Sequence, residues 1–122
     1  MDHMCLALPI LDGKTQDVRD FMNELENSRK SEYDRSERNI GITKELWYLA
    51  GLPSGDHLIA YMESDNFGNA LSMFSQSQDD FDMWFKERFA NATGVDLNNP
   101  PPDMQLPELL SSYSAEMMTA AD

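Results

Sequence analysis

The segment from Ile40 to Glu63 constrains the fold of this chain more than any other part of the sequence. It contains two runs in which bulky and polar residues alternate, as in β-strands, and the runs are joined by Pro-Ser-Gly-Asp at residues 53–56. These residue types favour turn dihedrals, so the segment predicts a β-hairpin. One long amphipathic segment precedes the hairpin and two shorter ones follow it. The sequence therefore indicates an α+β domain built on a small antiparallel sheet.

Length and charge limit the classes of protein to which the chain can belong. At 122 residues, 41% of them hydrophobic, it has enough apolar side chains for one folded domain. Nine basic and 22 acidic residues give a formal net charge of −13. Such a surface repels phosphate groups, which argues against binding to nucleic acid or to an anionic membrane. No apolar run approaches the roughly 20 residues that span a bilayer.

The two ends of the chain are predicted to lie outside the folded domain. Residues 1–3 are interpreted as a cloning remnant, residues 4–113 as a single α+β domain and residues 114–122 as a flexible tail. The N-terminus lacks the pattern of a secretory signal, and a single cysteine, Cys5, excludes an internal disulfide. We therefore expect a cytoplasmic protein of bacterial type, with the Cys5 thiol buried in the first strand.

Hydrophobic periodicity predicts the other elements. Residues 4–10 are typical of a buried strand, and residues 15–35 show the spacing of one continuous helix that ends in a turn at residues 36–39. Two further helices are predicted between the hairpin and Gly94, which stops the second of them. Residues 106–113 supply a candidate fourth strand. This order is the split βαβ pattern of ferredoxin-like domains, with helices on one face of the sheet.

The second strand carries bulky apolar side chains on both of its faces. Leu46 and Tyr48 share one face, and Trp47 and Leu49 share the other. In a sheet with one face exposed to solvent, apolar and polar residues should instead alternate along each strand. We therefore predict that the face without helices packs against a second copy of the chain, which gives a homodimer.

Three blocks of the sequence are similar to those of a known family. They are GITKELWYL at 41–49, GDHLIAYMESD at 55–65, and FDMWFKERF at 81–89 followed by GVDLNNPPP at 94–102. In this order they resemble an uncharacterised bacterial family of the dimeric α/β-barrel, ferredoxin-like superfamily. The resemblance implies a dimer formed sheet to sheet, and it implies no catalytic residues.

Three polar residues are candidates for acid–base catalysis: His57, Glu45 and Arg38. A histidine acts as a general base when a partner orients it, and Glu45 and Glu63 are candidate partners across the hairpin. A carboxyl group buried among aromatic side chains resists ionisation and can act as an acid. The alternative interpretation is structural, with His57 in an ion pair at the strand end and Glu45 paired with Lys44 or Arg38.

Five aromatic residues are candidates for the walls of an apolar ligand pocket. They are Trp47, Tyr61, Trp84, Phe85 and Phe89. The same spacing is typical of core residues, and the sequence leaves both interpretations open. The acidic residues at positions 79, 80 and 82 are interpreted as helix-capping groups, and we expect neither a metal nor a cofactor.

The sequence thus predicts a homodimeric α/β-barrel domain of unknown function that binds a small apolar ligand. The alternative is a cofactor-independent monooxygenase or isomerase that acts on a small aromatic or lactone. In that alternative His57, Glu45 and Arg38 move protons or hold an enolate. The chain contains no nucleophile elbow, P-loop or dinucleotide-binding motif.

Overall fold

The computed structural model describes residues 1–100 and 107–115, in which four helices pack against one face of a three-stranded antiparallel sheet. The elements are β1 (Asp2–Pro9), α1 (Thr15–Glu26), α2 (Lys30–Ile40), β2 (Ile42–Leu52), β3 (Gly55–Ser64), α3 (Phe67–Gln76) and α4 (Asp80–Thr93). The strand order is β1-β3-β2, so β3 is central and the other two strands are edges. None of these helices is long and apolar enough to cross a membrane.

The predicted hairpin is confirmed. Strands β2 and β3 pair antiparallel through the two-residue connection Pro53-Ser54. Strict alternation along β2 would place Ile42 on the same face as Leu46 and Tyr48. In the structure a β-bulge between Ile42 and Lys44 shifts the alternation by one residue, so Ile42 is instead buried on the helix-covered face.

The prediction of one continuous helix over residues 15–35 is wrong, because residues 27–29 separate α1 from α2. The side-chain amide of Asn27 donates to the carbonyl oxygen and to the side-chain oxygen of Asn23, both at 2.9 Å. A short amide side chain that bonds to nearby backbone in this way competes with helical hydrogen bonding. The break therefore follows a residue whose side chain, in addition to its backbone N–H, bonds to Asn23.

The predicted turn at residues 36–39 is also wrong, because these residues form the last turns of α2. Ser36 is buried there, and its hydroxyl donates to Asp82 of α4. The helix ends at Gly41, whose φ of 88° lies in the left-handed region that favours glycine. The N–H of Gly41 donates to the carbonyl oxygens of Glu37 and Arg38, which closes the helix.

The hydrophobic core lies between the helices and the covered face of the sheet, and Phe85 of α4 lies at its centre. Its ring makes edge-to-face contacts with Phe21 of α1 at 5.0 Å and Phe74 of α3 at 5.3 Å. Trp47 of β2 lies 6.2 Å from the same ring. One aromatic side chain thus joins three helices and the sheet.

A buried polar network joins α3 to α4. Lys86 is only 1% exposed, and its ammonium group donates to three backbone carbonyl groups at the C-terminal end of α3. These are the carbonyl groups of Phe74, Ser75 and Ser77, at 3.0, 3.3 and 2.9 Å. The last carbonyl groups of a helix lack intrahelical donors, and Lys86 supplies donors to three carbonyl groups at this end of α3. Burial lowers the pKa of Lys86, and nearby Asp82 opposes this shift.

Both ends of the described chain differ from the prediction. Strand β1 begins at Asp2, whose carboxylate accepts from the backbone N–H of Phe67 at 2.9 Å, so the fold includes residues that the sequence interpretation left out. Residues 107–114 form neither helix nor strand, and position 106 of the candidate fourth strand lies outside the described residues. Of the predicted tail, residues 116–122 also lie outside them.

The face of the sheet opposite the helices is open and apolar at its centre. Its two central cross-strand rows are Cys5, Tyr61 and Leu46, and then Ala7, Ile59 and Tyr48. Leu46 is 43% exposed and Tyr48 is 56% exposed. Cys5 is exposed on this face, so the prediction of a buried thiol is wrong. Period-two alternation in β1 turns Met4 and Leu6 toward the helices and Cys5 away from them.

Candidate functional site

An apolar cavity of about 70 Å³ lies between the covered face of the sheet and the helices. Its described walls are aliphatic and aromatic apart from two carboxyl groups, those of Glu37 and Glu45. The apolar walls include Leu8, Met62, Leu71, Phe74, Phe85 and Phe89. The volume exceeds the roughly 10–15 Å³ that one water molecule needs, so the cavity has room for a small guest.

The two carboxyl groups face each other from α2 and β2. Glu37 lies one helical turn after Tyr33, so both side chains point from α2 toward the sheet. Glu45 and Trp47 are two residues apart in β2 and share its covered face. The Tyr33 hydroxyl donates to Glu45 Oε2, and Trp47 Nε1 donates to the same oxygen at 2.9 Å. Glu37 shares a hydrogen bond with Glu45, so helical and strand periodicity together build a four-residue cluster.

The proton of this cluster resides on Glu37. Burial raises the pKa of Glu37 well above its usual range, and the neighbouring carboxylates of Glu45 and Asp82 raise it further. Burial and Glu45 also raise the pKa of Tyr33, which keeps its hydroxyl protonated. A protonated carboxyl group donates through one oxygen and accepts through the other. Glu37 therefore donates to the Glu45 carboxylate.

Glu37 Oε2 is buried and accepts no hydrogen bond from the described donors. A protonated carboxyl oxygen that donates to Glu45 needs no further partner.

The carboxyl pair borders two spaces. Besides the cavity, Glu37 and Glu45 line a wider, solvent-open groove between α2 and β2, the outer groove, together with the cationic side chains of Lys30, Arg38 and Lys44. Lys30 pairs with Asp34 across 3.3 Å. The predicted pairing of Glu45 with Arg38 or Lys44 is not among the ion pairs of the described residues.

The predicted catalytic residues occupy three different places. Glu45 borders the cavity, Arg38 lies in the outer groove, and His57 lies on the open face of the sheet. His57 Nδ1 donates to the carbonyl oxygen of Gly55 at 2.9 Å. Cross-strand partners share a face, and His57 pairs with Ala50 whereas Glu45 pairs with Met62. One chain therefore does not bring His57 and Glu45 together.

The predicted pocket aromatics are divided in a similar way. Trp47, Phe85 and Phe89 line the cavity. Trp84 instead packs on the other side of α4, with the guanidinium of Arg29 4.4 Å from its ring centre. Tyr61 lies on the open face, where its hydroxyl donates to Glu63 at 2.6 Å.

Comparison with known proteins assigns this chain to a family. Residues 1–106 match the model of a family of unknown function, DUF6176. The chain belongs to the DUF6176 family. No curated protein matches the chain. No solved structure matches it either. The match confirms the prediction that the chain belongs to an uncharacterised family, and it covers most of the chain.

Glu37 is the residue of this DUF6176 site that sequence reasoning missed. Ending the helix at residue 35 assigned Glu37 to a turn. The signal that would have found it is Gly41, since glycine just beyond a helix is its commonest C-terminal stop. A helix that extends to Gly41 places Glu37 one turn after Tyr33. Within the described residues, no group of three or more His, Cys, Asp or Glu side chains is arranged to hold a metal ion.

Proposed function

We propose that this DUF6176 protein binds a small, mainly apolar molecule in the cavity between its sheet and its helices. The observation that supports the proposal is a cavity whose described walls are apolar except at the end formed by Glu37 and Glu45. Small-molecule sites are commonly built from apolar walls and a few convergent polar groups. The apolar walls supply the affinity for such a guest.

Binding agrees better with this geometry than the enzymatic alternative does. A monooxygenase or isomerase that uses a His/Glu pair needs both groups within reach of one substrate. His57 and Glu45 lie on opposite faces of the sheet, and Arg38 lies in the outer groove. The predicted triad therefore has no common pocket within one chain.

Ligand binding is tested by melting the protein in the presence of small apolar molecules, such as toluene, phenol and cyclohexane. A ligand that binds only the folded state stabilises it by about 2.7 kcal/mol at 100 times Kd, so we expect Tm to rise with ligand concentration. A matched variant is Leu71→Phe, which adds volume at a half-buried wall position. It should reduce the rise. Failure of every compound to raise Tm would contradict the proposal.

We also propose that the fold is ferredoxin-like and that two copies associate through the open face of the sheet. The element order and the strand order β1-β3-β2 match three strands of the split βαβ arrangement. The two central rows of the open face are apolar, and charged side chains lie toward its end, where Glu63 faces Lys44. An apolar centre with a polar rim is the usual composition of a protein interface.

The proposed dimer is tested by light scattering at micromolar concentration. We expect a dimer for the wild type and a monomer for Leu46→Asp, because an unpaired carboxylate at the centre of an apolar interface loses its hydration. Met73→Asp on α3 is a matched control, since Met73 is 45% exposed and Leu46 is 43% exposed. A monomeric wild type, or equal effects of the two substitutions, would contradict the proposal.

A cytoplasmic location completes the proposal. Cys5 is a free cysteine. Free thiols persist in reducing compartments, where disulfide formation is disfavoured.

A further inference from the structure

We infer that the cavity selects molecules that carry no hydrogen-bonding group, small hydrocarbons above all, and discriminates against alcohols, phenols, ethers and lactones of the same size. This inference rests on the proposed binding function and specifies the chemical class of its ligand.

The polar groups beside the cavity are already paired or buried. Trp47 Nε1 donates to Glu45 Oε2 at 2.9 Å, and the Tyr33 hydroxyl donates to the same oxygen. Glu37 gives its proton to Glu45, and Glu37 Oε2 is buried. The carboxyl pair is therefore satisfied by its own neighbours and needs nothing from a guest.

The surface that the described walls present to a guest is almost entirely apolar. Aliphatic and aromatic side chains from all three strands and from α3 and α4 form it. In the sheet behind them, the central strand β3 pairs with a strand on each side, so its backbone groups are used in the two ladders. The described walls thus offer a guest neither a strong donor nor a strong acceptor.

This composition sets the energetic preference of the cavity. A guest with a hydroxyl, ether or carbonyl oxygen gives up hydrogen bonds with water when it enters, and it regains none. A hydrocarbon has no such bonds to lose, and it gains by leaving water. Engineered cavities with apolar walls stay dry and bind apolar guests. The same walls therefore favour a hydrocarbon over a polar molecule of equal size.

The test compares two pairs of molecules of matched size by titration calorimetry. Phenol has a hydroxyl where toluene has a methyl group, and tetrahydrofuran has an ether oxygen where cyclopentane has a methylene group. We expect the wild type to bind toluene about five- to hundredfold more tightly than phenol, the range for one polar group left unpaired. Cyclopentane should likewise bind more tightly than tetrahydrofuran, which carries an acceptor and no donor.

A variant that adds a hydrogen-bonding group to the wall should weaken this discrimination. Met62 lines the cavity from the central strand, directly opposite Glu45. Met62→Gln keeps the length of the side chain and adds an amide that both donates and accepts. We expect it to lower the ratio of toluene affinity to phenol affinity about two- to tenfold, the range of one net hydrogen bond. Met62→Leu, the apolar control, should keep the wild-type ratio. A folded Met62→Gln with the wild-type ratio would overturn the inference.

Methionine methyl NMR of the wild type shows whether the hydrocarbon occupies this cavity. Toluene should shift the methyl resonance of Met62, which lines the cavity. It should leave unchanged that of Met83, which is 36% exposed on α4 and is not among the described walls. Equal shifts of the two resonances would place the hydrocarbon elsewhere and overturn the inference.

The remaining outcomes distinguish this inference from the function on which it rests. Equal affinities of the wild type for the two members of either pair would overturn selection for hydrocarbons and leave ligand binding intact. No binding of any of the four compounds would overturn both. These measurements use the wild type, so they decide the inference even if Met62→Gln fails to fold.

Discussion

Replacing Phe85 with alanine is expected to lower the free energy of unfolding by about 3–5 kcal/mol. Phe85 is 4% exposed, and its ring contacts Phe21, Phe74 and Trp47, which belong to three different elements. These three rings belong to different elements and cannot all move into the vacated space. The variant therefore retains a cavity, and its cost adds to that of the lost apolar burial. Urea denaturation followed by circular dichroism measures the loss.

The control for this prediction is Met83→Ala on the same helix. Met83 is 36% exposed, and a substitution at such a position usually changes stability by no more than about 0.5–1 kcal/mol. Both changes place alanine, the best helix former, in α4, so helix propensity disfavours neither of them. Similar losses for the two variants would show that Phe85 is not the centre of the core.

The free energy of unfolding is expected to fall as the pH rises from 5 to 8, and Glu37→Gln is expected to remove much of that fall. Burial, followed by the neighbouring Glu45 and Asp82, raises the pKa of Glu37 to about 10. Tyr33 also faces the pair and stays protonated. Below the ordinary glutamate pKa of about 4.3, the folded and the unfolded chain both hold the Glu37 proton, and none of the stability that depends on this proton is lost. Above it the unfolded chain releases the proton and the folded chain keeps it. Stability then declines by up to about 1.4 kcal/mol per pH unit, until the folded state also loses the proton.

Chemical denaturation at several pH values measures this slope. Glu87→Gln is the matched control, because Glu87 is exposed on α4 and the substitution makes the same change of charge. The two histidines are present in all three proteins, so the difference between the slopes isolates Glu37. A wild-type profile without a decline, or the same slope in Glu37→Gln, would contradict a buried protonated carboxyl group.

Much of the fold was predictable because its signals are local. The hairpin follows from alternation on both sides of a short turn, and two later helices begin at Asn66 and Asp79, whose side chains accept from the first backbone amides. The break at residues 27–29 was missed because hydrophobic periodicity continues across it. Short polar side chains there bond to nearby backbone, which periodicity does not record.

The candidate site was predicted in part. Trp47, Phe85 and Phe89 line the cavity, as the pocket hypothesis required, and Glu45 borders it. The predicted pairing of Glu45 with His57 was wrong because it did not take account of the hairpin register, which follows from the position of the turn in the sequence. Residues directly opposite in an antiparallel hairpin share a face, and the short connection sets Glu45 opposite Met62.

The sequence by itself determined the α+β class, the hairpin and the apolar character of both sheet faces, because each depends on residues close together in the chain. Only the tertiary structure decided which face the helices cover, and it brought Glu37 against Glu45 across the gap between α2 and β2. Proton sharing between two carboxyl groups depends on distance and burial. These are properties of the packed molecule, and neither residue carries them alone.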